Sequence, residues 1–170
     1  MSISVESLTP NDWEAVRRIY AEGIATHNAT FEVTTPEWAV WDAGHLPECR
    51  FVAREDGQVV GWVALSPYSK RHVYRGVAEE TIYIAETARG RGVGSALMAM
   101  LIPASEALGI WTLQAGIFPE NEASVKLHER CGFRVVGRRE RLGQQNGRWR
   151  DVLFLERRSQ TVGLKDLGHR

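Results

Sequence analysis

The segment EETIYIAETARGRGVGSALMAM, residues 79–100, changes character twice, and any fold of this chain has to accommodate both changes. Thr81 to Ala85 has the β-branched and aromatic composition of a strand. Gly90, Gly92 and Gly94 follow, with Arg89 and Arg91 among them, and Val93, Ala96, Leu97, Met100, Leu101, Ala104 and Leu108 then recur at helical spacing. A strand that passes through a glycine-rich turn into a helix leaves several backbone N–H groups unpaired at the positive end of a helix dipole, which is a cradle for phosphate. Glycine permits both the close approach and a positive φ. The glycines alone also fit a tight turn flanked by solvated arginines. Two familiar phosphate loops are absent. There is no G-x-x-x-x-G-K-[ST], and G-x-G-x-G is not the G-x-G-x-x-G of a dinucleotide fold, which also wants an acid where Ile110 to Gln114 offers none.

The rest of the chain reads as mixed α/β without repeats. Ile3 to Leu8 alternates as a short strand. Thr9-Pro10-Asn11-Asp12 then supplies an N-cap, a first-turn proline and an acid for a helix reaching Thr26, with Trp13, Val16, Ile19, Tyr20 and Ile24 on one face. Thr35-Pro36-Glu37 repeats the start signal for a second helix through Trp38 and Trp41. Asp56-Gly57, between Arg50 to Glu55 and Gln58 to Leu65, predicts an antiparallel hairpin. In the helix after the glycine turn, Pro103 removes a backbone hydrogen bond and predicts a kink or a break. Trp111 to Phe118 reads as a strand, Glu120 to Cys131 as a helix closed by Gly132, and Phe133 to Arg141 with Trp149 to Arg157 as a last antiparallel pair. The predicted order is β-α-α-β-β-β-α-β-α-β-β, followed by a polar surface tail from Ser159 to Arg170.

At 170 residues, 44% hydrophobic and 25% charged, the chain suits one compact domain over residues 1–158. Lys plus Arg equal Asp plus Glu at 21 each, so no global field draws the protein to nucleic acid or anionic lipid, and an anion site has to be local. Neither a membrane-spanning apolar run nor a basic-then-apolar leader occurs, so a cytoplasmic location is expected. Cys49 and Cys131 are too few and too isolated for a disulfide framework or a Cys/His zinc site; both read as buried thiols, and no metal is expected.

Arg89-x-x-Gly92-x-Gly94, after a strand and before an amphipathic helix, resembles the [QR]-x-x-G-x-[GA] signature of the GNAT superfamily of N-acetyltransferases. The element order is similar to that fold over nearly the whole chain. SPYSKRHVYRGVAEETIYI, NEASVKLHERCGF and NGRWRDVLF resemble segments of its phosphinothricin and methionine sulfoximine N-acetyltransferase branch. The resemblance implies a mixed, mostly antiparallel central sheet flanked by helices, commonly in a homodimer. It implies acetyl-CoA as cosubstrate, with its pyrophosphate on Arg89, Gly90, Arg91, Gly92, Val93, Gly94 and Ser95. It further implies that the backbone of Ile82, Tyr83 and Ile84 faces the pantetheine arm and the charge that develops at the thioester, where a neighbouring strand splays away. Asn121, just before the helix carrying Ser124, matches an asparagine that touches the same arm, and Ser124 is expected beside it. Read bare, Asn121 after Pro119 is as readily a turn residue and helix cap.

Acetyl transfer to an amine needs a base, because an alkylammonium with a reference pKa of about 8 to 10.4 is mostly protonated near pH 7. Glu79 occupies the position to which the resemblance assigns that role, acting through water. A carboxylate at the mouth of an apolar strand is open to desolvation, while a solvated strand-end acid is the plainer alternative. Glu80 points to the opposite face of a regular strand and is not expected to share the work; it and Thr81 are expected near the acceptor. His128 stands where many members of the superfamily carry a tyrosine that protonates the departing thiolate. A thiol of pKa about 8.5 leaves adequately on its own, so such a donor assists; a lone helical histidine otherwise packs or faces solvent.

For the acceptor, Lys70, Arg71 and Arg75 lie just upstream of Glu79, and an arginine fork binds a carboxylate or phosphinate through two parallel hydrogen bonds. Phe31 and Glu32, in NATFEVTTPE, resemble a family segment that lines the acceptor pocket. The sequence thus reads as direct acetyl transfer to the amine of a small amino-acid-like acceptor, of phosphinothricin or methionine sulfoximine type, without metal or covalent enzyme intermediate. The alternatives are the same chemistry on a polyamine, aminoglycoside or protein N-terminus, and a CoA-binding sensor without turnover. A missing acidic excess speaks against the first two amines.

Overall fold

The computed structural model describes residues 2–166. Its strands are β1 (Ile3–Ser7), β2 (Phe51–Glu55), β3 (Gln58–Pro67), β4 (Val77–Ile84), β5 (Thr112–Ile117), β6 (Arg134–Gln145) and β7 (Arg148–Arg158). The α-helices are α1 (Trp13–Ala25), α2 (Trp38–Gly44), α3 (Val93–Ala107) and α4 (Glu122–Arg130). The strands form one sheet in the order β1-β2-β3-β4-β5-β7-β6, antiparallel except at β4–β5. Fold class and element order are those the sequence predicts.

Hairpin turns set the register. Asp56 and Gly57, with φ of 50° and 79°, connect β2 to β3, and Asn146 and Gly147, at 51° and 75°, connect β6 to β7. Two consecutive left-handed residues match the twist of flanking strands. The second turn carries β6 to Gln145 and starts β7 at Arg148, so both strands run closer to the turn than their apolar patterns predict. β4 starts at Val77 rather than Thr81, because β3 offers an unbroken partner from Pro67 back to Gly61. Glu79 is therefore an interior strand residue, opposite Ser66 and Gln114, and not a strand-end acid.

The faces of β4 alternate as a strand requires. Tyr83 meets Tyr20 of α1, with ring centroids 4.9 Å apart. Ile84 turns the other way, toward Gly61, where a Cβ would lie 3.0 Å from both Ile84 Cδ1 and Val93 Cγ1 at the start of α3. Glu79 and Thr81 share the α1 face with Tyr83; Glu80 and Ile82 share the face of α3 and α4.

Three expectations need correction. α3 continues unbroken through Pro103. A proline inside a helix costs roughly 3 kcal/mol, but Leu97, Met98 and Leu101 of this helix are fully buried, at about 1.5–3 kcal/mol each. Cys131 is only half-buried, whereas Cys49 is buried and its thiol is pushed up to about 11 by desolvation and then by Glu48. The tail does not lie on the surface where it begins. Ser159 is buried, donates to Glu106 Oε1 at 3.0 Å and accepts the N–H groups of Thr161 and Val162. The tail's last residues, 167–170, lie outside the described residues.

Candidate active site

Parallel pairing between β4 and β5 runs only from Val77–Thr112 to Glu79–Gln114. Beyond that point β4 stays with β3 to Ile84–Gly61, and β5 stays with β7 to Ile117–Leu153. The two strands part, and the β5-facing backbone edge of β4 is left without a strand partner. A cavity of about 490 Å³ opens at the split. Glu79 to Tyr83 line one wall, Gln114 to Phe118 the other, and Asn121, Ser124 and His128 of α4 close one end. Tyr20, Phe31 and Glu32 approach from the α1–α2 side, and Arg139, Leu142 and Phe154 from the β6–β7 hairpin. Ile84, expected alongside Ile82 and Tyr83, falls outside this lining.

The two adjacent acids are in opposite situations. Glu79 is exposed and accepts a long hydrogen bond from Gln114 Nε2 at 3.4 Å. Glu80, expected beside the acceptor, is buried on the other face with Oε2 2.6 Å from Nε2 of His128. Nδ1 of His128 lies 2.7 Å from the Ser124 carbonyl oxygen. A carbonyl only accepts, so Nδ1 carries a hydrogen. Desolvation, the largest single influence on His128, lowers its pKa, but the charge and hydrogen bond of Glu80 and the Ser124 carbonyl outweigh it, and the net shift is upward. Both ring nitrogens are therefore engaged within the protein. The second oxygen, Glu80 Oε1, is buried without a hydrogen-bond partner.

At the other end of β4 lies the glycine turn. Gly90 and Gly92 have φ of 73° and 83°, and a Cβ at either would meet nothing within 4 Å. Gly92 is the N-cap of the 15-residue helix α3, and Ser95 is exposed on its first turn. Val93 and Gly94 face inward: Val93 is in the core, and a Cβ at Gly94 would sit 2.7 Å from Leu127 Cδ2. Their side positions serve packing, leaving only their backbone for an anion. Arg91, also expected at the pyrophosphate, is held by Glu55 through two hydrogen bonds of 3.0 and 2.8 Å. Arg89 makes one long contact, to the Ile84 carbonyl at 3.4 Å. These residues fit acetyl-CoA: an open left-handed glycine turn at a helix N-terminus can admit a pyrophosphate, and an unpaired strand edge can take an extended amide arm. Asn121 both lines the cavity and caps α4, its Oδ1 accepting from Ser124 N at 3.4 Å.

The basic loop expected to read the acceptor lies elsewhere. Arg71 sits over the Tyr74 ring at 5.3 Å and Arg75 over Trp111 at 5.4 Å, and neither they nor Lys70 line the cavity. The reason is the longer β4: the loop enters the strand where β4 and β5 are still paired, away from the split. The guanidinium that lines the cavity belongs to Arg139, exposed and without an ion pair among the described residues. Phe31 packs edge-on against Phe118, with centroids 4.8 Å apart, and against Gly143. Arg150 braces this wall, donating to the carbonyl oxygen of His27 at 2.8 Å and to Asn28 Oδ1 at 2.9 Å, while lying 4.0 Å over Phe118.

Sequence comparison adds the lineage. The chain is 42% identical over 103 residues to a phosphinothricin N-acetyltransferase of Streptomyces coelicolor, an overlap spanning 61% of this chain and 60% of that protein. It is 29% identical to the L-methionine sulfoximine/L-methionine sulfone acetyltransferase of Pseudomonas paraeruginosa, over 92% of this chain and 94% of the relative. The crystal structure of a GNAT superfamily phosphinothricin acetyltransferase from Sinorhizobium meliloti in complex with AcCoA superposes with a TM-score of 0.86 at 28% identity, covering 98% of this chain and 93% of that one. The acetyltransferase (GNAT) family model matches residues 13–133, a span that takes in the strands on both sides of the split, the glycine turn and α4. This chain therefore belongs to the acetyltransferase (GNAT) family.

Proposed function

We propose that the protein is an acetyl-CoA-dependent N-acetyltransferase for the amine of a small amino-acid-like acceptor, of phosphinothricin or methionine sulfoximine type. The observation that carries this reading is the charge pattern of the split cavity. Exposed carboxylates, Glu79 and Glu32, share it with the guanidinium of Arg139, which has no ion pair among the described residues, the complement of an ammonium and a carboxylate on one small molecule. The names of the Streptomyces and Pseudomonas relatives support the acceptor class.

Acetyl-CoA, when bound, supplies an activated acetyl thioester. Gly90 to Ser95 present backbone N–H groups to its phosphates. The unpaired edge of β4 holds the arm and offers N–H donors where negative charge develops. Glu79 takes the proton of the acceptor ammonium, directly or through water, and Arg139 orients the acceptor carboxylate. Holding the amine in place replaces a costly encounter with a local step. His128, pinned between Glu80 and Ser124, positions α4 instead of protonating the leaving thiol.

A homodimer and a cytoplasmic location belong to the same reading. Val135, Val136 and Trp149, exposed on the terminal hairpin, are apolar surface that a second copy would cover. Among the described residues no helix is long and apolar enough to cross a membrane. The test of function is thiol release from acetyl-CoA with a panel of amines. Amino acids should exceed spermidine, aminoglycosides and peptide N-termini; spermidine as best acceptor, or CoA binding with no turnover on any amine, would overturn the proposal.

A further inference from the structure

Behind the reaction cavity lies a second one of about 360 Å³, and Tyr20, Glu32 and Thr81 line both. That volume is near the low end for small-molecule sites and ample for one amino-acid side chain. Its inner wall is aromatic: Trp41 and Trp62 pack edge to face with centroids 5.5 Å apart, and the His45 ring stacks on Trp41 at 4.2 Å. Nδ1 of His45 lies 2.6 Å from the Trp41 carbonyl oxygen, so its hydrogen is on Nδ1. Burial, the dominant influence, holds the His45 pKa below its usual value. The neutral ring then offers Nε2 as an acceptor only. Among the described residues no Lys or Arg lines this cavity, while Glu32 stands at the junction with the first.

We propose that this second cavity receives the side chain of the acceptor and selects amino acids whose side chains are long and uncharged. The inference rests on the amino-acid-acceptor reading above and narrows it: a neutral side chain of methionine sulfoximine type is kept, and the anionic side chain of phosphinothricin becomes the poorer fit. An ammonium at Glu79 and a carboxylate at Arg139 leave the α-carbon near Thr81, where the two cavities meet. An anionic side chain entering there faces Glu32 and an aromatic wall whose neighbouring guanidinium, Arg50 over the Trp41 ring at 5.2 Å, is already paired with Asp42, and burying a charge without a partner is costly. A neutral side chain loses nothing comparable, and its N–H or O–H can donate to His45 Nε2. A short side chain leaves the space unfilled.

Steady-state kinetics with acetyl-CoA and three acceptors, tyrosine, alanine and phosphinothricin, tests this. Tyrosine should exceed both others in kcat/KM by roughly tenfold or more, the scale of discrimination a pocket of this kind supplies. Val40 and Thr34, exposed residues lining the second cavity, supply two variants. Val40→Trp should fill the space and lower tyrosine turnover about tenfold more than alanine turnover. Thr34→Lys should raise phosphinothricin relative to tyrosine. The proposal is overturned if phosphinothricin or alanine outperforms tyrosine in the unmodified protein, or if Val40→Trp depresses tyrosine and alanine alike. Those outcomes leave amino-acid acetylation standing. Acetylation of spermidine with no turnover of any amino acid removes the amino-acid reading itself, and the side-chain subsite with it.

Discussion

Nε2 of His128 and Oε2 of Glu80 are 2.6 Å apart with side chains only 2% and 1% exposed, joining α4 to β4 across the end of the reaction cavity. The two residues are 48 positions apart in the chain. Glu80 shares its strand with Glu79, so one acid is spent on architecture while its neighbour stays exposed in the cavity.

The charge on His128 makes stability depend on pH in a definite direction. Its folded pKa is raised: desolvation lowers it, but Glu80 and the Ser124 carbonyl more than compensate. A histidine of this kind contributes stability that is fully present below its unfolded pKa of about 6.5 and is lost as pH rises through the folded value. Denaturant unfolding of the natural protein and of His128→Gln should differ most below about pH 6.5, with the gap narrowing at higher pH. A gap that does not change with pH would mean that the ring is neutral in the folded protein.

Glu79→Gln keeps the size and hydrogen bonding of the side chain and removes its basicity. Acetylation should fall by roughly 10²-fold near neutral pH and recover in part at higher pH, where free amine is abundant. Near-normal turnover at pH 7 would show that the proton leaves by another route.

Gly92 and Gly94 should behave differently. Gly92→Ala places a side chain in open space but at positive φ, a strain of about 1–2 kcal/mol, and it should weaken CoA binding in a protein that still folds. Gly94→Ala drives a Cβ toward Leu127 Cδ2, 2.7 Å away, and should lower thermal stability by shifting α4. Calorimetry with CoA and thermal unfolding on the same samples separate the two; equal effects of both variants on both measurements would count against the division of roles.

Arg139→Ala should cost roughly 2 kcal/mol in kcat/KM for an amino acid and little for its amide, as expected of a charge-assisted bond left unpaired. Arg71→Ala and Arg75→Ala should not distinguish acid from amide. The reverse pattern would restore the upstream loop as the carboxylate reader and remove Arg139.

Local chemistry made most of the fold legible. Asp56-Gly57, the alternation of β4 and the periodicity of α3 are short-range signals, and each has its predicted structure. What sequence left open depended on distance. Nothing near Glu80 signals His128, and nothing in Arg138-Arg139-Glu140-Arg141 tells which cation faces the cavity. Arg138 binds Asp151 at 2.7 Å and leaves Arg139 for the interior wall. The span of β4 was set by the partner available on β3, and that extension moved the basic loop away from the split.

The brace formed by Arg150 and Gln145 has a consequence for how the protein comes into being. These residues reach back to the carbonyls of His27 and Thr30, across 123 and 115 positions of chain. Contacts at such separation close large loops and form late. During synthesis the glycine turn and α3 emerge well before residues 145–150 exist. The half of the cavity around the glycine turn can therefore be assembled while the opposite wall is still missing, leaving Phe118, buried in the finished fold, uncovered on the nascent chain until the final hairpin docks.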